Sequence, residues 1–173
     1  MNVSTFLNEA PNKDYLLIKV ATIMSITGAC RTAELVDMRI GHIEDRGSVL
    51  VVNIPDTKTK KPKLFTVVDD ERRNTRYLQL YKMYKDLRPK KVPHKRFLLH
   101  AVGKDTFSKV PKLIAEFLQL PDFAPYTGHC FRRSSASFLV DGGGDLLTLR
   151  NHGRWKSSIA AEGYNTSFKE DFV

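Results

Sequence analysis

Cysteine is scarce in this 173-residue chain: only Cys30 and Cys130 occur, a hundred positions apart. That spacing argues against a disulfide framework and fits a reducing compartment. Metal-ligand patterns are missing too, since no His-Glu-x-x-His occurs and the adjacent His129 and Cys130 would point apart on a helix. Long apolar runs are absent; the most apolar stretch, Tyr15 to Cys30, contains Lys19 and is too short and too polar for a membrane span. Residues 1–12 lack a basic segment leading into an apolar one, so neither secretion nor membrane insertion is expected. Gly142-Gly143-Gly144-Asp145 lacks the Lys-Ser/Thr of a phosphate-binding loop, and there is no Gly-x-Ser-x-Gly elbow.

Acidic residues are also few, 19 against 28 Lys plus Arg, which leaves a net charge of +9. Such a balance favours a polyanionic partner, most simply nucleic acid. Hydrophobic residues make up 42%, with ten Phe, six Tyr and one Trp, enough for one domain with a buried core. The common RNA-binding modules would show an aromatic-rich motif that this chain lacks, so an RNA-binding domain ranks last among basic-protein readings.

Residues 1–12 read as a leader or the stump of a linker, and the domain is expected to occupy 13–173. Leu16, Leu17, Val20 and Met24 at three-to-four spacing predict a helix interrupted near Gly28, followed by a short one over Thr32 to Met38. Ser48–Ile54 and Lys63–Val68 predict two strands joined by the lysine-loaded segment Pro55–Pro62. Asp69–Leu87 predicts a helix with Tyr77, Leu80, Tyr81 and Tyr84 as its inward stripe, and Phe97–His100 a short strand. Further helices are expected around Val110–Leu118, over His129–Val140 with a stop at the triple glycine, and over Asp145–Asn151 and Ser157–Glu162. The expected fold is therefore α+β, mostly helical, with a small antiparallel sheet.

On the helix beginning at His129, a wheel of about 100° per residue puts Arg132 about 60° to one side and Arg133 about 40° to the other. His129 and Arg132, at i and i+3, can address one group together, and a helix N-terminus beside them favours a phosphate. Upstream stands Thr27-Gly28-Ala29-Cys30-Arg31-Thr32-Ala33-Glu34-Leu35; downstream come Gly153-Arg154-Trp155 and Gly163-Tyr164; the lysines Lys58, Lys60 and Lys61 lie between.

This combination, spread over Lys13 to Phe168, resembles the catalytic domain of the tyrosine recombinases, or phage-type integrases. Arg31 and Glu34 match the family's first arginine segment, Lys58 its hairpin lysine, His129 and Arg132 its His-x-x-Arg pair, Trp155 its His/Trp position and Tyr164 its nucleophile. Trp155 falls 23 residues beyond Arg132, and Tyr164 follows 9 later. Each motif alone is weak, and their joint occurrence in order and spacing is strong. Lys60 or Lys61 can replace Lys58, since all lie in one turn, and His152 stands near the His/Trp position but offset by three residues. The stretch His129 to Ser167 looks most like recombinases of eukaryotic Crypton-type mobile elements, which would imply nuclear residence.

What the resemblance implies is DNA cleavage and rejoining through a 3′-phosphotyrosyl intermediate, with double-stranded DNA as partner and neither ATP nor a metal or other cofactor. Arg31, Lys58, His129, Arg132, Trp155 and Tyr164 would be catalytic, Glu34 and His152 supporting, and Lys60, Lys61, Lys63, Arg133, Arg154 and Lys156 DNA-contacting. The family's separate N-terminal DNA-embracing domain has no counterpart in the sequence, so one-faced, salt-sensitive DNA binding and a monomer in solution are expected, with the family's tetramer only on DNA. Two rival readings share the fold: a domesticated recombinase acting as a DNA- or protein-binding module, and a type IB topoisomerase-like enzyme.

Overall fold

The computed structural model describes residues 3–55, 57, 62–89, 95–98, 104–122, 124–141 and 143–153. Its elements are α1 (Val3–Glu9), α2 (Asn12–Gly28), α3 (Thr32–Val36), a 3-10 turn (Ile40–His42), β1 (Ile43–Asp45), β2 (Leu50–Ile54), β3 (Lys63–Val67), α4 (Tyr77–Asp86), α5 (Lys104–Phe117), α6 (Cys130–Asp141) and α7 (Leu146–Gly153). The α+β, mostly helical expectation holds, with one three-stranded antiparallel sheet in the order β1-β2-β3.

Helix α2 is the axis of the molecule. It packs against α4, α6 and β3 and buries residues nearly all round, which is why its apolar periodicity is weaker than that of a surface helix. It ends where β3 comes close: a Cβ added to Gly28 would lie 2.6 Å from the Phe65 ring. Ala29 then takes a left-handed conformation (φ 45) and Cys30 N–H donates back to the Ser25 carbonyl at 3.2 Å, so the helix stops and the chain turns over the sheet.

Residues 3–10 correct the expectation of a leader. Phe6 is fully buried, edge-on to Tyr15 at 5.6 Å and to Phe117 at 5.4 Å, so α1 belongs to the main core with α2 and α5. Of the polar residues that suggested a linker, Ser4 is buried with Val3, Phe6 and Leu7 on the inward side of α1, while Asn8 is exposed on it and Pro11 and Asn12 open α2.

Two further expectations shift. The helix foreseen from Asp69 begins only at Tyr77, because Asp70 Oδ1 accepts from Arg73 N–H at 3.1 Å and Asn74 is left-handed (φ 49), side-chain and turn geometry that competes with helix. The tyrosine stripe itself is as expected: Tyr77, Leu80, Tyr81 and Tyr84 are buried, and Phe97 packs on Tyr81 and Tyr84. Instead of a strand from Phe97, Arg96 forms a single bridge with Arg39, and residues 99–100 lie outside the described residues. The additional strand β1 pairs Ile43 with Val52. Gly143, at φ 88, lets Gly143 N–H reach Val140 O and Gly144 N–H reach Leu139 O, ending α6 where the glycine run predicted.

Candidate phosphate site

The turn after α2 delivers Arg31 as the N-cap of α3. Glu34, three residues on, accepts from the Arg31 backbone N–H through Oε2 at 2.9 Å and from the Arg31 guanidinium through Oε1 at 3.0 Å. The first bond satisfies a helix-start donor; the second aims the side chain. Arg31 keeps 27% of its side chain exposed while Glu34 keeps 3%.

Beneath this pair lies Lys63. Strand alternation turns Lys63, Phe65 and Val67 inward, opposite Ile54, Val52 and Leu50, and all six are buried. The Lys63 ammonium donates to Glu34 Oε2 at 3.1 Å and to the Ala29 carbonyl at 3.0 Å. Its expected role as a DNA contact is thereby corrected: a 3% exposed ammonium held by a carboxylate and a carbonyl is an internal group, not a surface one.

The same Ala29 carbonyl accepts from Arg132 NH1 at 2.7 Å, and Arg132 NH2 donates to the Gly153 carbonyl at 2.7 Å. One buried guanidinium thus ties the end of α2 to α6 and to the last residue of α7. One turn further along α6, Ser135 Oγ lies 2.7 Å from His152 Nε2, a second tie between α6 and α7. His129 is exposed in the turn that opens α6. A Cβ on the preceding Gly128 would be 3.6 Å from Thr32 Oγ1, so the backbone before His129 runs beside the residue after Arg31.

The fold therefore links Arg31, Glu34, Lys63 and Arg132 through the Ala29 carbonyl, ties His152 separately to Ser135 on α6, and places the His129 turn alongside. Arg133 is half-buried on α6. Lys58, Lys60, Lys61, Arg154, Lys156, Trp155 and Tyr164 lie outside the described residues. Lys63 is the member that motif reasoning misplaced, and its signal was present in the sequence: in Lys63-Leu64-Phe65-Thr66-Val67 the lysine shares its parity with Phe65 and Val67.

Three cations against one carboxylate leave the cluster positive, and burial sharpens the consequences. For Glu34, burial pulls the pKa upward, yet the Lys63 charge and the hydrogen bonds from Arg31 and Lys63 together hold it below the usual carboxylate range. Cys30 is buried against the cluster with its thiol pushed up to about 12, chiefly by burial, so it stays protonated and is no nucleophile at neutral pH. Among the described residues, no group of three or more His, Cys, Asp and Glu could hold a metal ion, and no helix is long and apolar enough to cross a membrane.

His152 is held down to about 4, first by burial and then by the Lys63 and Arg132 charges. The unfolded chain would take up this proton near pH 6.5 and the folded one only near 4, so stability is lost as pH falls through that window. The loss attributable to His152 is expected to approach roughly 3 kcal/mol at the acid end. Urea unfolding at pH 7 and pH 4.5 checks it: His152→Gln should lose distinctly less stability between the two than the parent chain, and equal losses would remove His152 as the cause.

Ser135 and His152 also line a groove of about 1280 Å³ whose walls include residues of α4 and α6. Its walls mix Asp69, Asp70 and Glu71 with Arg72, Arg73 and Arg76, so it lacks the single-sign field that would draw in a phosphate backbone. Neither Arg31 nor Arg132 lines it.

Helices around a small antiparallel sheet, in this order, give the chain a fold similar to those of solved recombinases. Among solved structures, the chain superposes on XerA recombinase with a TM-score of 0.73 at 16% identity, covering 93% of this chain and 57% of that one. It is likewise similar to the XerH site-specific recombinase bound to its difH substrate (TM-score 0.71, 16% identity, 94% and 46% covered). The Tn1549 transposon integrase in complex with circular intermediate DNA gives a TM-score of 0.58 at 13% identity, with 94% and 58% covered. The chain thus spans about half the length of these proteins. No protein-family model matches the sequence, nor does any curated protein.

Proposed function

We propose that this chain breaks and rejoins DNA strands by transfer of a backbone phosphate to Tyr164, as in site-specific recombination or DNA integration. The observation that carries the reading is the buried junction in which Arg132 and Lys63 share the Ala29 carbonyl, two residues before Arg31, while Lys63 and Arg31 share the Glu34 carboxylate. A phosphoryl transition state gathers charge on its non-bridging oxygens, and two arginines held by carboxylate and carbonyl partners meet it without reorganising. The recombinase fold and the DNA named with XerH and the Tn1549 integrase support DNA as the partner.

In the proposed step the Tyr164 phenolic oxygen forms a bond to phosphorus as the bond to the 5′ oxygen breaks. The phenol, with an ordinary pKa of about 10, gives its proton to His129, and Lys58 gives one to the departing 5′ oxygen. The phosphotyrosyl bond retains the energy of the broken linkage, so a 5′ hydroxyl from another strand reverses the step and rejoins. Trp155 donates its indole N–H to a non-bridging oxygen; it has no acceptor nitrogen and moves no proton. Lys60, Lys61, Arg133, Arg154 and Lys156 contact flanking phosphates, so that affinity falls with added salt. Relationship to Crypton-type elements, a nuclear location and a tetramer formed on DNA belong to the same reading.

Nicked duplexes that on cleavage lose a short fragment carrying the freed 5′ hydroxyl trap the intermediate and test the proposal. The parent chain is expected to give a denaturant-resistant protein–DNA adduct. Tyr164→Phe should give none while duplex binding stays within about twofold, because only the nucleophilic oxygen is removed. An adduct that persists in the variant would remove Tyr164 as nucleophile. DNA binding with no adduct in the parent chain on any substrate would mark a non-catalytic DNA-binding module. Plasmid relaxation without strand exchange would mark topoisomerase-like turnover.

A further inference from the structure

We propose that Lys63 is a positioning residue of the phosphate site, its buried ammonium fixing Arg31 and Arg132 relative to one another through Glu34 and the Ala29 carbonyl. The inference rests on the reading of that cluster as a phosphate site and adds to it a residue outside the predicted catalytic set.

The geometry gives Lys63 two separate tasks. Through Glu34 Oε2, at 3.1 Å, it occupies one carboxylate oxygen and leaves Oε1 to the Arg31 guanidinium at 3.0 Å. Without the ammonium, Oε2 would keep only the Arg31 backbone N–H at 2.9 Å and could accept a second guanidinium N–H, and a fork-on-carboxylate pair would draw the guanidinium inward, away from an incoming anion. Through the Ala29 carbonyl, at 3.0 Å, Lys63 also fills one of two acceptor positions whose other occupant is Arg132 NH1 at 2.7 Å. A carbonyl that accepts from both holds the α2–α3 turn against α6, and the left-handed Ala29 backbone is what aims that oxygen inward.

The surroundings suit positioning rather than proton transfer. Lys63 is 3% exposed, and its inward strand neighbours are Phe65 and Val67, with Ile54 opposite. A group reaching substrate would need a path to solvent, whereas this one is sealed beneath Glu34. Lys63 therefore acts on the reaction only through other residues. An arginine at 63 would preserve charge and donors; a methionine would preserve volume and lose both.

Orthovanadate, a phosphoryl transition-state stand-in, titrated into the ¹⁵N-labelled chain and followed at the arginine Nε–Hε signals, provides a test independent of DNA cleavage. The parent chain is expected to show the Arg31 and Arg132 signals moving together with one saturation curve. Lys63→Met should keep dispersed spectra yet bind at least about tenfold more weakly, and Lys63→Arg should recover to within about threefold. If Lys63→Met is unfolded, Glu34→Gln/Lys63→Met, which removes the orphaned carboxylate as well, carries the same expectation. Binding by the methionine variant within twofold of the parent overturns the positioning role, as does failure of arginine to rescue. If the parent chain itself shows no coupled shift of Arg31 and Arg132, the phosphate-site reading falls, and that result is visible without any variant.

Discussion

Arg132→Ala is expected to lose about 3–5 kcal/mol of folding stability and, on trapping substrates, to slow DNA cleavage by at least about a hundredfold. The two losses have separate origins. Stability falls because the guanidinium donates at 2.7 Å both to the Ala29 and to the Gly153 carbonyl, and each is left in a buried setting without that donor. In the proposed reaction cleavage slows because a fixed cation at the site of charge development is gone. Arg132→Lys separates the effects: it retains charge, but a single ammonium replaces a planar fork that spans two carbonyls on different elements. It should recover part of the stability and little of the rate. Urea unfolding and single-turnover cleavage read the two quantities independently. An alanine variant as stable as the parent would show that Arg132 is no structural tie between α2, α6 and α7.

Glu34→Ala should cost a similar amount, about 3–5 kcal/mol, for a different reason: it strands a buried cation. Lys63 would keep only the Ala29 carbonyl, and Arg31 would lose both its aiming contact and the acceptor for its backbone N–H. Burial already draws the Lys63 pKa below its ordinary value, with Glu34 among the groups that oppose the shift, so removing the carboxylate favours the neutral amine. The sign follows directly. A lysine whose folded pKa is depressed contributes its full destabilisation below that pKa, and the penalty shrinks as pH rises toward the unfolded value. The Glu34→Ala deficit should therefore be larger at pH 6 than at pH 9.5. Glu34→Gln, which keeps an acceptor oxygen, should lose less at either pH. A deficit below about 1 kcal/mol at pH 6 would contradict the ion pair as a buried, structure-setting contact.

Much of this molecule was legible before its tertiary structure. The tyrosine stripe of α4, the β2–β3 pair, α5 and the glycine stop of α6 follow from local periodicity and turn chemistry, and the structure repeats them. Arg31 and Glu34 were legible only as matches to one family segment; their ion pair, at positions i and i+3 of a helix start, is a finding of the structure. Residues 3–10 were misread because seven helical residues flanked by Asn, Ser and Pro carry too short a pattern to declare their buried side. The start of α4 was misplaced because the Asp70–Thr75 turn outcompetes a helix through its own side-chain contacts. The approach of the His129 turn to Thr32 does not follow from helix geometry.

The sequence by itself determined the order and spacing of the residues in the proposed site and most of the local helices and strands of the described residues, because composition, spacing and local periodicity act within a few residues. Only the tertiary structure decided that Lys63 is an internal ammonium rather than a DNA contact, that Arg132 is divided between two backbone carbonyls, and that His152 is kept neutral beside Ser135. Each of those outcomes depends on groups 17 to 103 residues apart being buried together. Burial sets whether a charged side chain faces water, a carboxylate or a carbonyl, and no window of local sequence contains that information.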